Sequence, residues 1–189
     1  PDLSLYKSYG SATADGLRSF IAVDGSVSHP RSIAALHWIA RNYQIGSNPM
    51  LESDGPTPWA RGLRYYYVNS LARALLKAKI ARIELVDEQE SANEVNKKSS
   101  VHHWPAEVIR ELARLQDKDG FWQNPVSLMG EDSPVIATSF ALLAMDAAVQ
   151  TLTLKQVVPL TAVKHSPAPL LDEMAFTPHL TDPLDRVIQ

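Results

Sequence analysis

Residues 104–122 read WPAEVIRELARLQDKDGFW, an amphipathic stretch that runs into a turn. Val108, Leu112 and Leu115 recur at helical spacing, which predicts one apolar stripe along a helix. Pro105 suits the first turn of that helix, because an N–H there would have no intrahelical partner in any case. The stretch therefore predicts a helix with one buried face and a defined start.

The last part of this stretch has the form Q-x3-G-x-W, from Gln116 to Trp122. Gly120 favours the chain reversal that ends a helix. We expect Trp122 to fold back over the helix end and be mostly buried, and Gln116 to bond to backbone groups that lack partners there. The pattern resembles the QW motif of the terpenoid-cyclase and protein-prenyltransferase α/α toroids. A helix-capping turn alone would also explain the glycine and the tryptophan.

The resemblance extends to an internal repeat. Three segments share a hydroxyl or amide residue, a small residue three positions later and a bulky apolar residue seven positions later: Thr13/Gly16/Phe20, Asn69/Ala72/Leu76 and Thr138/Ala141/Met145. Small residues allow close approach of neighbouring helices, so helices near 11–23, 62–78 and 134–148 are expected side by side and parallel. Helices near 30–43 and 104–116 are expected outside them. The chain resembles squalene-hopene-cyclase-like repeats, the prenyltransferase and squalene oxidase repeat family, over residues 9–149.

The resemblance implies an all-α fold, a partial α/α toroid of about five to six helices built from hairpin repeats. The expected repeat domain covers residues 1–150, and a proline-containing C-terminal extension covers 151–189. Closed toroids of this family have more helices than this chain supplies. The chain is therefore expected to be the C-terminal part of a longer protein, or a short open solenoid that another chain completes.

Three other segments have their own predictions. Residues 87–100 are charged and polar without an apolar period, and we expect a mobile insertion there. Residues 80–86 fit either a helix extension or a short strand. The extension after residue 150 is expected to be extended, with a helical turn near 170–174.

Composition limits the function classes. The 189 residues are 45% hydrophobic with a formal net charge of −3, so nucleic-acid binding has no electrostatic support. No cysteine is present, which excludes disulfides and thiolate metal ligands. No apolar run long enough for a transmembrane segment is expected, and no cofactor or metal site is indicated. The residues leave localisation open; the resemblance slightly favours export.

Catalysis by this chain is in doubt. Class II terpene cyclases use an acidic D-x-D-D motif, which does not occur here. The zinc site of protein prenyltransferases needs a cysteine, which is also missing. The catalytic residues are therefore unknown, and terpene-cyclase-like activity would need an acid from elsewhere.

The resemblance nevertheless implies a ligand cavity, because the inner helices of a toroid surround one. The candidate ligand-binding residues lie near the expected N termini of the inner helices, which would meet at one rim if those helices run parallel: Tyr9, Thr13, Asp15, Arg64, Tyr66, Tyr67, Glu131 and Asp132. The tyrosines offer apolar area and a π face, although packing between helices would also account for them. Asp15 fits a first-turn carboxylate equally well, and Asp132 or Ser133 fits an N-cap.

The leading hypothesis is a toroid repeat domain that binds a hydrophobic ligand, with isoprenoids as the candidate class, and that lacks its own catalytic acid. One alternative is a C-terminal fragment of a squalene-type cyclase. Another is a non-catalytic scaffold for protein interactions. An open toroid exposes apolar surface, so self-association or pairing with the missing half is expected.

Overall fold

Helices are the main elements of the described part of the chain, and local sequence signals set their ends. The computed structural model describes residues 7–53, 56–91 and 94–163. Proline occupies the first turn of three helices, and Gly25, with φ of 65°, ends the first one. The helices are α1 (Gly10–Asp24), α2 (Pro30–Arg41), α3 (Trp59–Gly62), α4 (Arg64–Lys77), α5 (Trp104–Leu115) and α6 (Pro134–Thr153).

Helix α4 is at the centre, with α1 packed on one side and α6 on the other. Asp15 of α1 contacts Tyr66 near the start of α4, whereas Ala22, further along α1, shares a cleft with Lys77 at the end of α4. The two helices are therefore parallel. Helix α2 packs against α1, and α5 packs against α6. The expected side-by-side placement of the three small-residue helices is confirmed.

The expectation of an all-α fold is wrong. A three-stranded mixed sheet accompanies the helices, formed by β1 (Ile80–Ser91), β2 (Glu94–His102) and β3 (Val158–Val163). The strand order is β2-β1-β3, with β2 antiparallel to β1 and β3 parallel to it. Ile83 of β1 lies opposite His102 on one side and Leu160 on the other.

This sheet also corrects the prediction of a mobile insertion over residues 87–100, because residues 87–91 belong to strand β1 and residues 94–100 to strand β2. The open choice for residues 80–86 resolves as a strand. The absence of an apolar period did not exclude a strand, because the ladder is held by backbone hydrogen bonds that any non-proline residue can make. The part of the expected C-terminal extension that pairs with β1 is strand β3.

The sheet closes the core at the C-terminal end of α4. Lys79 has a φ of 57° and turns the chain from α4 into β1, and its carbonyl accepts the N–H of Val158. Trp104 is fully buried and its indole N–H donates to the carbonyl of Ile80 at 2.6 Å. These contacts connect the sheet to α4 and α5, so the helices cannot rotate independently of it.

The loop between α2 and α3 is anchored at the N terminus of α1. Asn48 is buried; its side-chain oxygen accepts the N–H of Ser11 and its amide donates to the Ser11 hydroxyl. The N–H of Gly10 donates to the carbonyl of Pro49. These bonds satisfy donors that an α-helix leaves without partners in its first turn.

Helix α6 runs through Thr153, beyond the expected domain boundary at residue 150. It is long and apolar enough to cross a membrane by length and composition, and it alone meets those criteria within the part of the chain that the structure describes. A third of its apolar window is buried inside the protein, and a core helix can meet the same criteria. The helical turn expected near 170–174 lies outside the described residues.

Candidate functional site

An apolar groove of about 410 Å³ runs between α1 and α2. Three aromatic side chains line it, together with small residues that leave space between the two helices. Pockets of this volume are typical for small-molecule ligands. The lining residues are Lys7, Ser8, Tyr9, Ala12, Thr13, Gly16, Leu17, Phe20, Ala34, Ala35, Trp38 and Arg41.

Helical spacing places Tyr9, Thr13, Gly16 and Phe20 along one side of this groove. The hydroxyl of Thr13 donates to the carbonyl of Tyr9, which is the residue just before α1. A Cβ added at Gly16 would meet no atom within 4 Å. The space above Gly16 is thus part of the open groove.

The far end of the groove is held by an aromatic cluster around Phe20. The Phe20 ring stacks on His29 with centroids 6.2 Å apart, and the Arg31 guanidinium lies 5.6 Å from the Phe20 centroid. His29 precedes α2 and its Nδ1 accepts the N–H of Arg31. The α1–α2 connection is therefore fixed by side chains, which gives the groove a defined width at this end.

Asp15 faces away from this groove, toward α4. Its carboxylate accepts the Tyr66 hydroxyl at 2.6 Å and the Ser70 hydroxyl at 3.2 Å, and it pairs with Arg18 at 3.1 Å. The bond to Asp15 is the main reason that the pKa of Tyr66 is raised, and burial adds to the effect. Asp15 lies beyond the first turn of α1, so the first-turn interpretation is wrong.

Glu131 is the other predicted acid, and it is fully buried below the start of α4. Its carboxylate accepts the backbone N–H of Tyr65 at 3.1 Å, that of Tyr66 at 2.7 Å, and the side-chain amide of Asn124 at 2.8 Å. Burial raises the pKa of Glu131, and these hydrogen bonds oppose the rise. The geometry is that of an N-terminal cap for α4 supplied by a distant loop.

The remaining predicted ligand residues are not in the groove. Tyr67 is buried and donates its hydroxyl to the carbonyl of Gln44. Arg64 begins α4, and its buried Nε has no hydrogen-bond partner among the described residues. Asp132 accepts a hydrogen bond from Ser127, and neither it nor Ser133 caps α6 with its side chain. Of the eight predicted residues, Tyr9 and Thr13 therefore line the groove, and the other six do not.

In the Q-x3-G-x-W turn, Trp122 is buried as expected, but Trp122 rather than Gln116 bonds to the carbonyl at the end of α5. Trp122 is 3% exposed, and its indole N–H donates to the carbonyl of Leu112 at 2.7 Å. Gln116 donates to the carbonyl of Gly120, whose φ is 88°. Trp122 thus satisfies the helix carbonyl, and Gln116 closes the turn.

A polar cluster connects the ends of α2, α5 and β2. Tyr43 donates its hydroxyl to Glu107 at 3.0 Å, and Nδ1 of His102 lies 3.4 Å from the other oxygen of that carboxylate. Burial, and then the charge and hydrogen bond of Glu107, raise the pKa of Tyr43 strongly. No grouping of three or more metal-ligand side chains is found within residues 7–53, 56–91 and 94–163.

Sequence reasoning missed Trp38 and the groove role of Phe20. Trp38 lies within a helix that the apolar pattern predicted, and Phe20 had been assigned only to the repeat. The sequence signal for the groove is the set of small residues Ala12, Gly16 and Ala35, which face one another across α1 and α2. This signal can be recognised only once the two helices are known to be neighbours. Searches of protein-family models, curated proteins and solved structures gave no match for this chain.

Proposed function

We propose that this chain binds a hydrophobic ligand in the α1–α2 groove, with isoprenoid alcohols as the candidate class. The observation that carries the proposal is the apolar groove with Tyr9, Phe20 and Trp38 on its walls. When an apolar chain is buried against aromatic and aliphatic side chains, the free energy gained is about 25 cal/mol per Å² of apolar surface removed from water. The resemblance to toroid repeats led to the same ligand class, so the proposal keeps it.

The groove supports binding rather than acid catalysis. None of the described residues that line it is a carboxylic acid. Asp15 and Glu131 lie elsewhere, and each already accepts several hydrogen bonds. A cyclase fragment would therefore need its acid from outside these residues, and incubation with squalene is expected to give no cyclised product.

Gly16 provides the sharpest test of the proposal. A leucine at this position would fill the groove without meeting a neighbouring atom at its Cβ. Leucine and alanine both favour a helix over glycine, by up to about 1 kcal/mol. Gly16→Leu should therefore block the ligand while α1 stays folded, and Gly16→Ala is the matched control that adds only a methyl group.

Binding is measured from tryptophan fluorescence during titration with farnesol, in a Trp59→Phe background that removes one exposed indole. Trp38 lines the groove and reports on occupancy, because Trp104 and Trp122 are buried elsewhere. We expect a saturable change that Gly16→Ala retains and Gly16→Leu weakens at least tenfold. A titration without saturation, or equal affinities in the two variants, would refute the groove as the binding site.

A second candidate, a protein-interaction scaffold, is favoured by the open face of α6. Val135, Leu142 and Val149 are 76%, 53% and 50% exposed and recur every two turns. Asp146 is the only charged residue in this helix of 20 residues, and it is exposed one turn after Leu142 on the same face, where it accepts a hydrogen bond from Gln150. The stripe is symmetric about Leu142, so an antiparallel α6 from a second copy would set Val135 opposite Val149, as an isologous interface requires.

Sedimentation equilibrium tests this second candidate. We expect dimers at tens of micromolar, and Leu142→Asp should shift the protein to monomers because it places a charge at the symmetry axis. Val23→Asp is the control, because Val23 is 84% exposed at the end of α1, away from this stripe. A monomeric wild-type chain over this concentration range would eliminate self-association through α6.

A further inference from the structure

A basic cleft of about 510 Å³ lies on the opposite side of α1, between α1 and α4. Arg18 lines it from α1, and Arg73 and Lys77 line it from successive turns of α4. Ala22 and Leu76 contribute apolar surface between these cations. The chain as a whole has a net charge of −3, so this concentration of positive charge is a local feature rather than a result of composition.

The only carboxylate among the described lining residues is Asp15. It is already engaged by the Tyr66 hydroxyl, the Ser70 hydroxyl and Arg18. Arg73 and Lys77 have no hydrogen-bond or ion-pair partner among residues 7–53, 56–91 and 94–163. The charge of one cation is thus compensated within the cleft, and the charges of two are not.

We propose that this cleft binds an organic phosphate through Arg18, Arg73 and Lys77. A phosphate monoester carries nearly two negative charges at neutral pH and three acceptor oxygens. Guanidinium groups donate two parallel hydrogen bonds to such oxygens, and a lysine adds a compact charge. Ala22 and Leu76 offer contact for the carbon part of the ligand. The site is separate from the α1–α2 groove and does not depend on a ligand there.

Two effects oppose anion binding: the Asp15 carboxylate, which lines the cleft, and the dipoles of the two helices. The C-terminal ends of α1 and α4 carry partial negative charge of about half a unit each, confined to the last turn. The dipole of α4 partly explains the position of Lys77, because a cation in the last turn of a helix is favoured. Arg73 lies one turn earlier, and Arg18 lies well inside α1, so the dipole does not explain why their side chains share one cleft.

Two-dimensional NMR of amide ¹H–¹⁵N shifts, during titration with glycerol phosphate at constant ionic strength, tests the proposal. We expect saturable shifts at Ser19, Ala22 and Leu76, which line the cleft. The double variant Arg73→Gln/Lys77→Gln should weaken affinity at least tenfold. The matched control, Arg110→Gln/Lys155→Gln, removes two exposed cations from elsewhere and should bind as the wild type does.

A second arm separates a soluble phosphate from a lipid headgroup that carries the same chemistry. Co-sedimentation with phosphatidylcholine vesicles containing phosphatidic acid is measured for the same three proteins. Saturable binding of glycerol phosphate that requires Arg73 and Lys77 supports a soluble ligand, and vesicle binding alone with the same requirement supports a lipid headgroup. Absence of both, or equal loss in the control variant, overturns the proposal. Farnesol affinity should not change in the double variant, so failure here leaves the groove proposal untouched.

Discussion

Trp122→Ala should be among the most destabilising single substitutions in this protein. The side chain is 3% exposed, and it covers the end of α5 while its backbone N–H donates to Thr138 of α6. Its indole N–H also satisfies the Leu112 carbonyl, one of the acceptors that a helix leaves open at its C terminus. One residue therefore connects α5 to α6 and satisfies one of the C-terminal carbonyls of α5.

The expected loss follows from these two roles. Truncating a large buried aromatic side chain to alanine costs about 3–5 kcal/mol. An unsatisfied buried carbonyl costs about 1–3 kcal/mol, part of which water entering the cavity recovers. We expect Trp122→Ala to lower the free energy of unfolding by about 4 kcal/mol, a large share of the ~5–15 kcal/mol typical of a whole domain.

Urea unfolding followed by far-ultraviolet circular dichroism measures the loss without using the mutated fluorophore. With a slope of about 2 kcal/mol per molar, the midpoint should fall by about 2 M. Trp122→Phe keeps most of the ring and loses the N–H, so it should cost about 1–3 kcal/mol. Trp59→Ala is the control at a 40% exposed tryptophan and should cost clearly less. A loss under about 1 kcal/mol for Trp122→Ala, with an unchanged slope, would contradict the inference that Trp122 holds α5 against α6.

Three further predictions concern stability, each measured by urea unfolding. Gly10→Ala should destabilise by about 1–3 kcal/mol, because a Cβ at Gly10 would lie 2.5 Å from Pro49 and Tyr67; a neutral result would show that the Asn48 loop moves freely. Glu131→Ala removes the acceptor of the Tyr65 and Tyr66 N–H groups and one of the two acceptors of the Asn124 amide. It should cost about 3 kcal/mol or more, whereas Asp132→Ala should cost under about 1 kcal/mol. Burial raises the pKa of Tyr43 and Tyr67 well above the usual tyrosine value of about 10. Above pH 10 the unfolded chain therefore loses phenolic protons that the native protein keeps, and stability should fall by about 1.4 kcal/mol per pH unit for each tyrosine; Tyr43→Phe should reduce that slope, and an unchanged slope would count against its burial.

Local signals were sufficient for the helices and insufficient for the sheet. Pro30, Pro105 and Pro134 lie in the first turns of α2, α5 and α6, and the apolar spacing within those segments predicted their buried faces. Strand β3, by contrast, pairs with a segment far from it in sequence, with Ile80 next to Val158. Nothing in residues 158–163 indicates which strand they join, because the pairing uses backbone groups common to all residues.

The predicted site residues also divide into those set by local sequence signals and those that depend on contacts with distant residues. Tyr9 and Thr13 were placed correctly at the start of α1 by helical spacing alone. The role of Asp15 depends on Tyr66 and Ser70, which are 51 and 55 residues away. Its neighbours became visible only when α1 and α4 were placed side by side: the acid bonds to Tyr66 and Ser70 of α4, pairs with Arg18, and lines the cleft between the two helices.

Helix α1 separates two sites of opposite character. Thr13, Gly16 and Phe20 face the apolar groove, whereas Asp15, Arg18, Ser19 and Ala22 face the basic cleft. None of the residues that the structure describes lines both sites, so these residues give a ligand in one site no contact with the other. Coupling between the sites would therefore require α1 itself to shift, and its N terminus is held by Asn48 while its far end is held through Phe20 and His29.

We accordingly expect independent binding. Farnesol affinity should be the same with and without saturating glycerol phosphate, within about a factor of two, because ligands couple only through a differential effect on a shared state. The measurement is the Trp38 fluorescence titration in the Trp59→Phe background, repeated at both phosphate concentrations. A fivefold or larger change in affinity would show that α1 moves as a unit between the two sites and that its anchors at Asn48 and Phe20 do not hold it in place.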